Sequence, residues 1–102
     1  MFGLIVRFTC KDPASAEAFD HLAGQTVERI QESEPGTLVY AVHQVEGQPL
    51  QRIFYELYRD RAAFDAHEEQ EHTQRFLRAR DDLLASVEVD FLHLQAGKGT
   101  TG

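Results

Sequence analysis

Three stretches of the chain alternate with a two-residue period yet carry apolar side chains on both alternation faces. That limits the fold more than any other feature, because a sheet built from them cannot leave one face in water. In the first, Phe2, Leu4, Val6 and Phe8 alternate with Gly3, Ile5, Arg7 and Thr9. The second sets Leu38, Tyr40 and Val42 against Val39, Ala41, His43 and Val45. In the third, which spans Gln51 to Tyr58, Ile53, Tyr55 and Leu57 oppose Phe54, Glu56 and Tyr58. A fourth strand is read where Val87, Val89 and Phe91 alternate with Glu88 and Asp90. All four show strand periodicity.

Between the first and second strands, Phe19, Leu22, Ala23, Thr26, Val27 and Ile30 recur at helical spacing. Asp12 before Pro13 supplies a cap and a first helical residue. Glu34-Pro35-Gly36 ends that helix near Ser33, since a residue before proline avoids helical backbone. Glu46-Gly47-Gln48-Pro49 reads as the turn between strands two and three. After Arg59 a short helical piece carries Ala62, Ala63, Phe64 and Ala66. A longer piece runs from about Glu71 to Ala85, with Phe76, Leu77, Leu83 and Leu84 inward. The order is strand, helix, strand, strand, helix, strand, the split unit of a ferredoxin-like α+β fold with a four-stranded antiparallel sheet.

Helices can cover only one face of that sheet. A second copy of the same sheet is the simplest cover for the other, since closed twofold pairing is the commonest assembly. A homodimer is therefore expected. One domain should span residues 1–95, and the tail from 96 to 102 has no packing side chain beyond Ala96.

Ten Lys and Arg against seventeen Asp and Glu give a formal net charge of -7. That balance argues against nucleic acid and against an anionic membrane surface as partners. No run approaches the roughly 20 apolar residues of a membrane span. The apolar Met1–Cys10 stretch is interrupted by Arg7 and followed by Lys11 and Asp12, so it reads as a strand and not a leader. A cytoplasmic location is the default expectation. The single cysteine, Cys10, can form neither an internal disulfide nor a cysteine metal site.

The polar candidates for chemistry are Tyr40, His43, Glu56, Tyr58, His67, His72, Arg78 and His93. His67 and His72 stand five apart, about 140° around a regular helix, and chelate a metal only if the helix breaks between them. No metal is expected. Arg75, Arg78 and Arg80, beside Asp81 and Asp82, read as a solvated helix face. Glu56 lies mid-strand among Phe54, Tyr55, Leu57 and Tyr58, where an ionised carboxylate needs a partner. His43, on the neighbouring strand, is a residue type suited to proton transfer.

Glu34-Pro35-Gly36 followed by Tyr40, then Glu56-x-Tyr58, then Ala66-His67-x4-His72, resembles the antibiotic biosynthesis monooxygenase family. The resemblance runs from strand one to strand four. It implies a dimeric α+β barrel and a mechanism without flavin, heme or metal. Molecular oxygen would react directly with an electron-rich quinol or polycyclic phenol. A non-catalytic ligand-binding or pathway-accessory dimer is the alternative. On this resemblance His67 or His43 is the base, and Glu56 orients the base or the substrate. Tyr40, Phe54, Tyr58, Phe64 and His72 would meet a small aromatic substrate. Tyr58 stands where many members carry Trp. Phe64 stands where the polyketide oxygenases carry a relay Tyr, and Phe54 where they carry Asn.

Overall fold

The computed structural model describes residues 1–100, so the last two residues of the 96–102 tail lie outside the described residues. Four strands are present: β1 (Phe2–Cys10), β2 (Thr37–Val45), β3 (Gln48–Tyr58) and β4 (Leu84–His93). Helix α1 (Pro13–Ser33) joins β1 to β2, and α2 (Arg61–Glu69) and α3 (Glu71–Arg80) lie between β3 and β4. The sheet is antiparallel throughout, in the order β2-β3-β1-β4. This is the ferredoxin-like fold that the alternating pattern implies, with its second helix divided in two.

The ladder assigns the faces. Leu4 pairs with Glu56 and Phe91, Val6 with Phe54 and Val89, and Phe8 with Arg52 and Val87. These residues share the helix-facing side of the sheet. Ile5 sits between Tyr55 and Asp90 on the opposite side. A core of Phe8, Phe19, Phe54 and Phe76 forms where β1 and β3 meet α1 and α3, with ring centres 4.6 to 6.2 Å apart. Arg52 joins β3 to α1 through a two-pronged bond to Asp20, Nε to Oδ1 at 2.6 Å and the terminal nitrogen to Oδ2 at 2.9 Å.

Local chemistry sets the boundaries. Asp12 caps α1, its side chain accepting from the Ser15 backbone N–H at 2.7 Å. Asp60 caps α2 in the same way through Ala63 at 2.8 Å. The β2–β3 turn is tighter than the sequence suggests. Gly47 takes a left-handed backbone in this turn, at φ 77°, and β3 begins at Gln48. The helical pattern read out to Ala85 stops at Arg80, because Leu84 already pairs with Cys10 at the start of β4. A single 3₁₀ turn, Asp81–Leu83, makes the change, and Lys11 N–H donates to Leu83 O at 3.0 Å. No helix among the described residues is long and apolar enough to cross a membrane.

The helices leave β4 largely uncovered. On its helix-facing side Val87, Val89 and Phe91 are 38, 46 and 57 % exposed, and Ile5 on the opposite face is 37 % exposed.

Candidate functional site

Between the sheet and the α2–α3 pair lies a cavity of about 130 Å³. Its walls are mostly apolar, from Leu4, Val6, Phe54, Phe64, Phe76 and Leu77, and its polar groups include Glu56, His67, Tyr40, Thr73 and Arg80. Leu4 and Val6 reach it from β1, and Phe54 and Glu56 from β3, because alternate residues of paired strands point to one side. His67 arrives from the last turn of α2 and is 4 % exposed.

The break between α2 and α3 organises the polar side. Gln70 has extended backbone, φ -65° and ψ 143°, and serves as the end of one helix and the start of the next. His67 and His72 therefore escape the divergence of a continuous helix, and both turn to Glu34, the residue that closes α1. The Nδ1–H of His67 donates to Glu34 Oε1 at 2.8 Å, and the Thr37 hydroxyl donates to the same oxygen at 2.7 Å. His72 Nε2 contacts Glu34 Oε2. Burial by itself would raise the Glu34 carboxyl, but the donors from His67, Thr37 and His72 hold it down at about 2. The carboxylate is thus a fixed anion.

With Nδ1 committed to Glu34, neutral His67 keeps its lone pair on Nε2. That nitrogen lies 3.9 Å from Glu56 Oε1, too far for a direct hydrogen bond. Burial pushes the Glu56 carboxyl up to about 7, against the opposing pull of a 2.6 Å bond from the Tyr58 hydroxyl. The Tyr58 hydroxyl is in turn driven far above the usual phenol range, by burial and then by Glu56. Burial likewise raises Tyr40, followed by the charge of Glu56. The Tyr40 and Tyr58 rings hold the imidazole, with centres 5.4 and 5.3 Å from it.

Glu34, His67 and His72 each offer a ligand atom within 4.8 Å of the others, a donor set a divalent metal could use. Each of the three also has a partner within the triad.

The residues singled out from sequence divide into groups. Glu56, His67, Tyr40, Phe54 and Phe64 surround the cavity. Tyr58 is fully buried beneath Phe64 and His67 and reaches the cavity only through its bond to Glu56. His72 stands on the far side of Glu34, away from the cavity. His43 is exposed and opposes Ile53, on the side of the sheet away from the cavity, where its Nδ1–H donates to the Ile53 carbonyl at 3.1 Å. His93 lies at the end of β4 against the Phe2 ring.

Two contributors were not legible as site residues. Glu34 reads as a helix stop, and only its place before Pro35 and the paired histidines hints at more. Arg80 belongs to what reads as a solvated arginine face. Arg75 and Arg78 are exposed, but Arg80 is half-buried, with its guanidinium 5.5 Å from the Phe8 ring centre.

Known structures share this fold. The protein PA3566 of Pseudomonas aeruginosa matches with a TM-score of 0.82 and 33 % identity, covering 93 % of this chain and 94 % of its own. Rv0793 of Mycobacterium tuberculosis matches with a TM-score of 0.86 and 23 % identity, covering 94 and 96 %. A structure described as an antibiotic biosynthesis monooxygenase gives 0.83 at 24 % identity, covering 94 and 100 %. No curated protein of characterised function matches at a significant level. The family model of antibiotic biosynthesis monooxygenases matches residues 1–79, and the chain belongs to that family.

Proposed function

We propose that this protein is a cofactor-independent monooxygenase acting on an electron-rich aromatic, a quinol or phenol, within the cavity beside His67. The observation that carries this reading is the position of the His67 ring. One nitrogen is held by an ionised, buried carboxylate, and the other is free toward an apolar cavity. That arrangement makes a general base, with Glu34 fixing the tautomer and stabilising the imidazolium that forms.

The chemistry follows from the substrate. Ground-state oxygen is a triplet and reacts slowly with closed-shell molecules, but a deprotonated quinol can give it one electron. His67 Nε2 takes the hydroxyl proton. The quinol anion passes an electron to oxygen, and the radical pair joins as a carbon-bound peroxide. The O–O bond then breaks, one oxygen stays on the ring and the other leaves as water, so a benzenediol plus O₂ becomes a hydroxyquinone plus H₂O. His67 returns its proton to the departing oxygen. Glu56, in its protonated form, donates to the oxyanion that develops near it. The domain, residues 1–95, works as a homodimer, the partner's sheet covering the face that carries Ile5.

Oxygen consumption with a panel of hydroquinones tests the reading. Turnover above the uncatalysed rate is expected for at least one, and His67→Ala should lower it roughly 10²-fold or more. No uptake above background with saturating substrate would overturn it. Tight binding of a hydroquinone without oxygen uptake would assign the domain to ligand binding alone.

A further inference from the structure

Among the described residues, Arg80 Nε is the one buried side-chain nitrogen or oxygen without a hydrogen-bond partner. Buried N–H groups are nearly always satisfied, so an orphan on a side chain that lines a cavity calls for an acceptor. The guanidinium lies over the rings of Phe8 and Phe76, 5.5 and 5.9 Å from their centres, and Arg80 lines the cavity that His67 and Glu56 also line. No carboxylate among the described residues pairs with it. The other arginine of this layer, Arg52, is buried and is matched by Asp20. The cavity therefore has a cation without an ion-pair partner on one wall, His67 with the carboxyls of Glu56 and Glu68 elsewhere in its lining, and apolar surface between.

We propose that the ligand of this cavity is a single-ring hydroquinone or phenol bearing an anionic substituent, a carboxylate, which accepts from Arg80. This rests on the reading of the cavity as the substrate site and narrows its substrate class. Size sets the single ring, since an engineered cavity of about 150 Å³ holds one benzene and this one is about 130 Å³. Charge sets the substituent. A carboxylate makes a shorter and stronger bond to a guanidinium than a neutral carbonyl does, and Arg presents a planar fork that fits it. The aromatic stacking under the guanidinium holds that fork in place. A ligand filling the space meets Arg80 with its anion and presents its ring hydroxyl to His67.

Three probes separate the contributions: 2,5-dihydroxybenzoate, its methyl ester, and plain hydroquinone, titrated anaerobically by calorimetry. The wild-type protein is expected to bind the acid at least tenfold more tightly than the ester or hydroquinone. Arg80→Met should bring the three to within about threefold of one another, mainly by weakening the acid. Arg80→Gln keeps a polar donor without the charge and should lose the same preference, which covers the case in which the Met variant does not fold. Equal binding of acid and ester by the wild type, or a preference for the acid that survives in either folded variant, would overturn the inference. So would binding of the neutral probes alone. Failure here is distinct from failure of the monooxygenase reading. Oxygen uptake with neutral hydroquinone and no acid preference removes only the anion. Arg80-dependent binding of the acid without oxygen uptake removes only the oxygenation.

Discussion

His67 Nδ1 lies 2.8 Å from Glu34 Oε1, although the two residues are 33 positions apart. One belongs to the end of α1 and the other to the last turn of α2, so the pair exists only when both helices are seated on the sheet. The contact couples fold and chemistry. Glu34 satisfies the ring on the side away from the cavity, and the ring is then aimed at Glu56 and whatever lies between them.

Replacing Glu34 by Gln should be costly in stability and in rate. The carboxyl is held at about 2, below its ordinary range. Its contribution is therefore present above about pH 4.5 and is lost as pH falls toward 2. A shift of that size corresponds to about 3 kcal/mol at neutral pH. In Glu34→Gln the acid-sensitive part of the stability curve should flatten, and turnover should fall by at least about tenfold because the His67 tautomer is no longer enforced. Urea unfolding at pH 3 and pH 7, on wild type and variant, checks the first outcome. A variant as stable as wild type at pH 7 would contradict it.

Glu56 should produce the opposite slope. Burial raises its carboxyl to about 7, so the folded state holds the proton more tightly than the unfolded chain does. The stabilisation is full below about pH 4.5 and disappears as pH rises through 7. Wild type should accordingly lose up to about 3 kcal/mol between pH 5 and pH 8. Glu56→Gln keeps the shape and an acceptor for the Tyr58 hydroxyl but cannot ionise, and its stability should be nearly flat over that range. Chemical denaturation at the two pH values decides it, and an equal slope in both proteins would rule Glu56 out as the titrating group.

The sequence shows the sheet plainly and the site only in part, for a physical reason. Strand alternation is a local property, so the faces of β1, β2 and β3 follow from residues a few positions apart. The break at Gln70 is also local, and it falls between the two helical pieces the pattern indicates. What brings Glu34 to two histidines more than thirty positions later is the packing of helices on the sheet, which no local pattern encodes. Arg80 shows the same limit. Its neighbours Arg75 and Arg78 are exposed, and the closeness of the Phe8 ring, on β1, and the Phe76 ring separates Arg80 from them. The span read as helix beyond Arg80 goes to the sheet for a related reason, since pairing of Leu84 with Cys10 outweighs a helical pattern of moderate length.

Gly36 tests how closely α2 must approach. A methyl group added there would sit 2.8 Å from the Ala63 Cβ, and Arg59 N–H already donates to Gly36 O at 3.0 Å. Something must move, and the movable part is the helix that carries His67. Gly36→Ala should destabilise by about 1–3 kcal/mol and weaken turnover. Ala63→Gly in the same chain should recover part of that stability, since contacting sites are not additive. Additive losses in the double variant would show that the clash is not the cause.

The face that carries Ile5 provides the test of assembly. Ile5, Ile53, Tyr55 and Leu57 form an apolar patch across β1 and β3, and the helices lie on the other side of the sheet. Leu57 is only 2 % exposed and Ile5 is 37 % exposed, so the edge toward β4 is the open part. Water over such a patch is unfavourable by roughly 25 cal/mol for each Å² of apolar surface, and a second identical face removes it for both chains. In a twofold pair the substitution Ile5→Glu places two carboxylates in one apolar seam, while in an isolated chain it places one at a solvent-facing position. Sedimentation should therefore show a dimer for wild type and a monomer for Ile5→Glu, with the variant still folded by circular dichroism. A wild-type protein sedimenting as a single species of monomer mass would remove the pairing, and the apolar face would then need another cover.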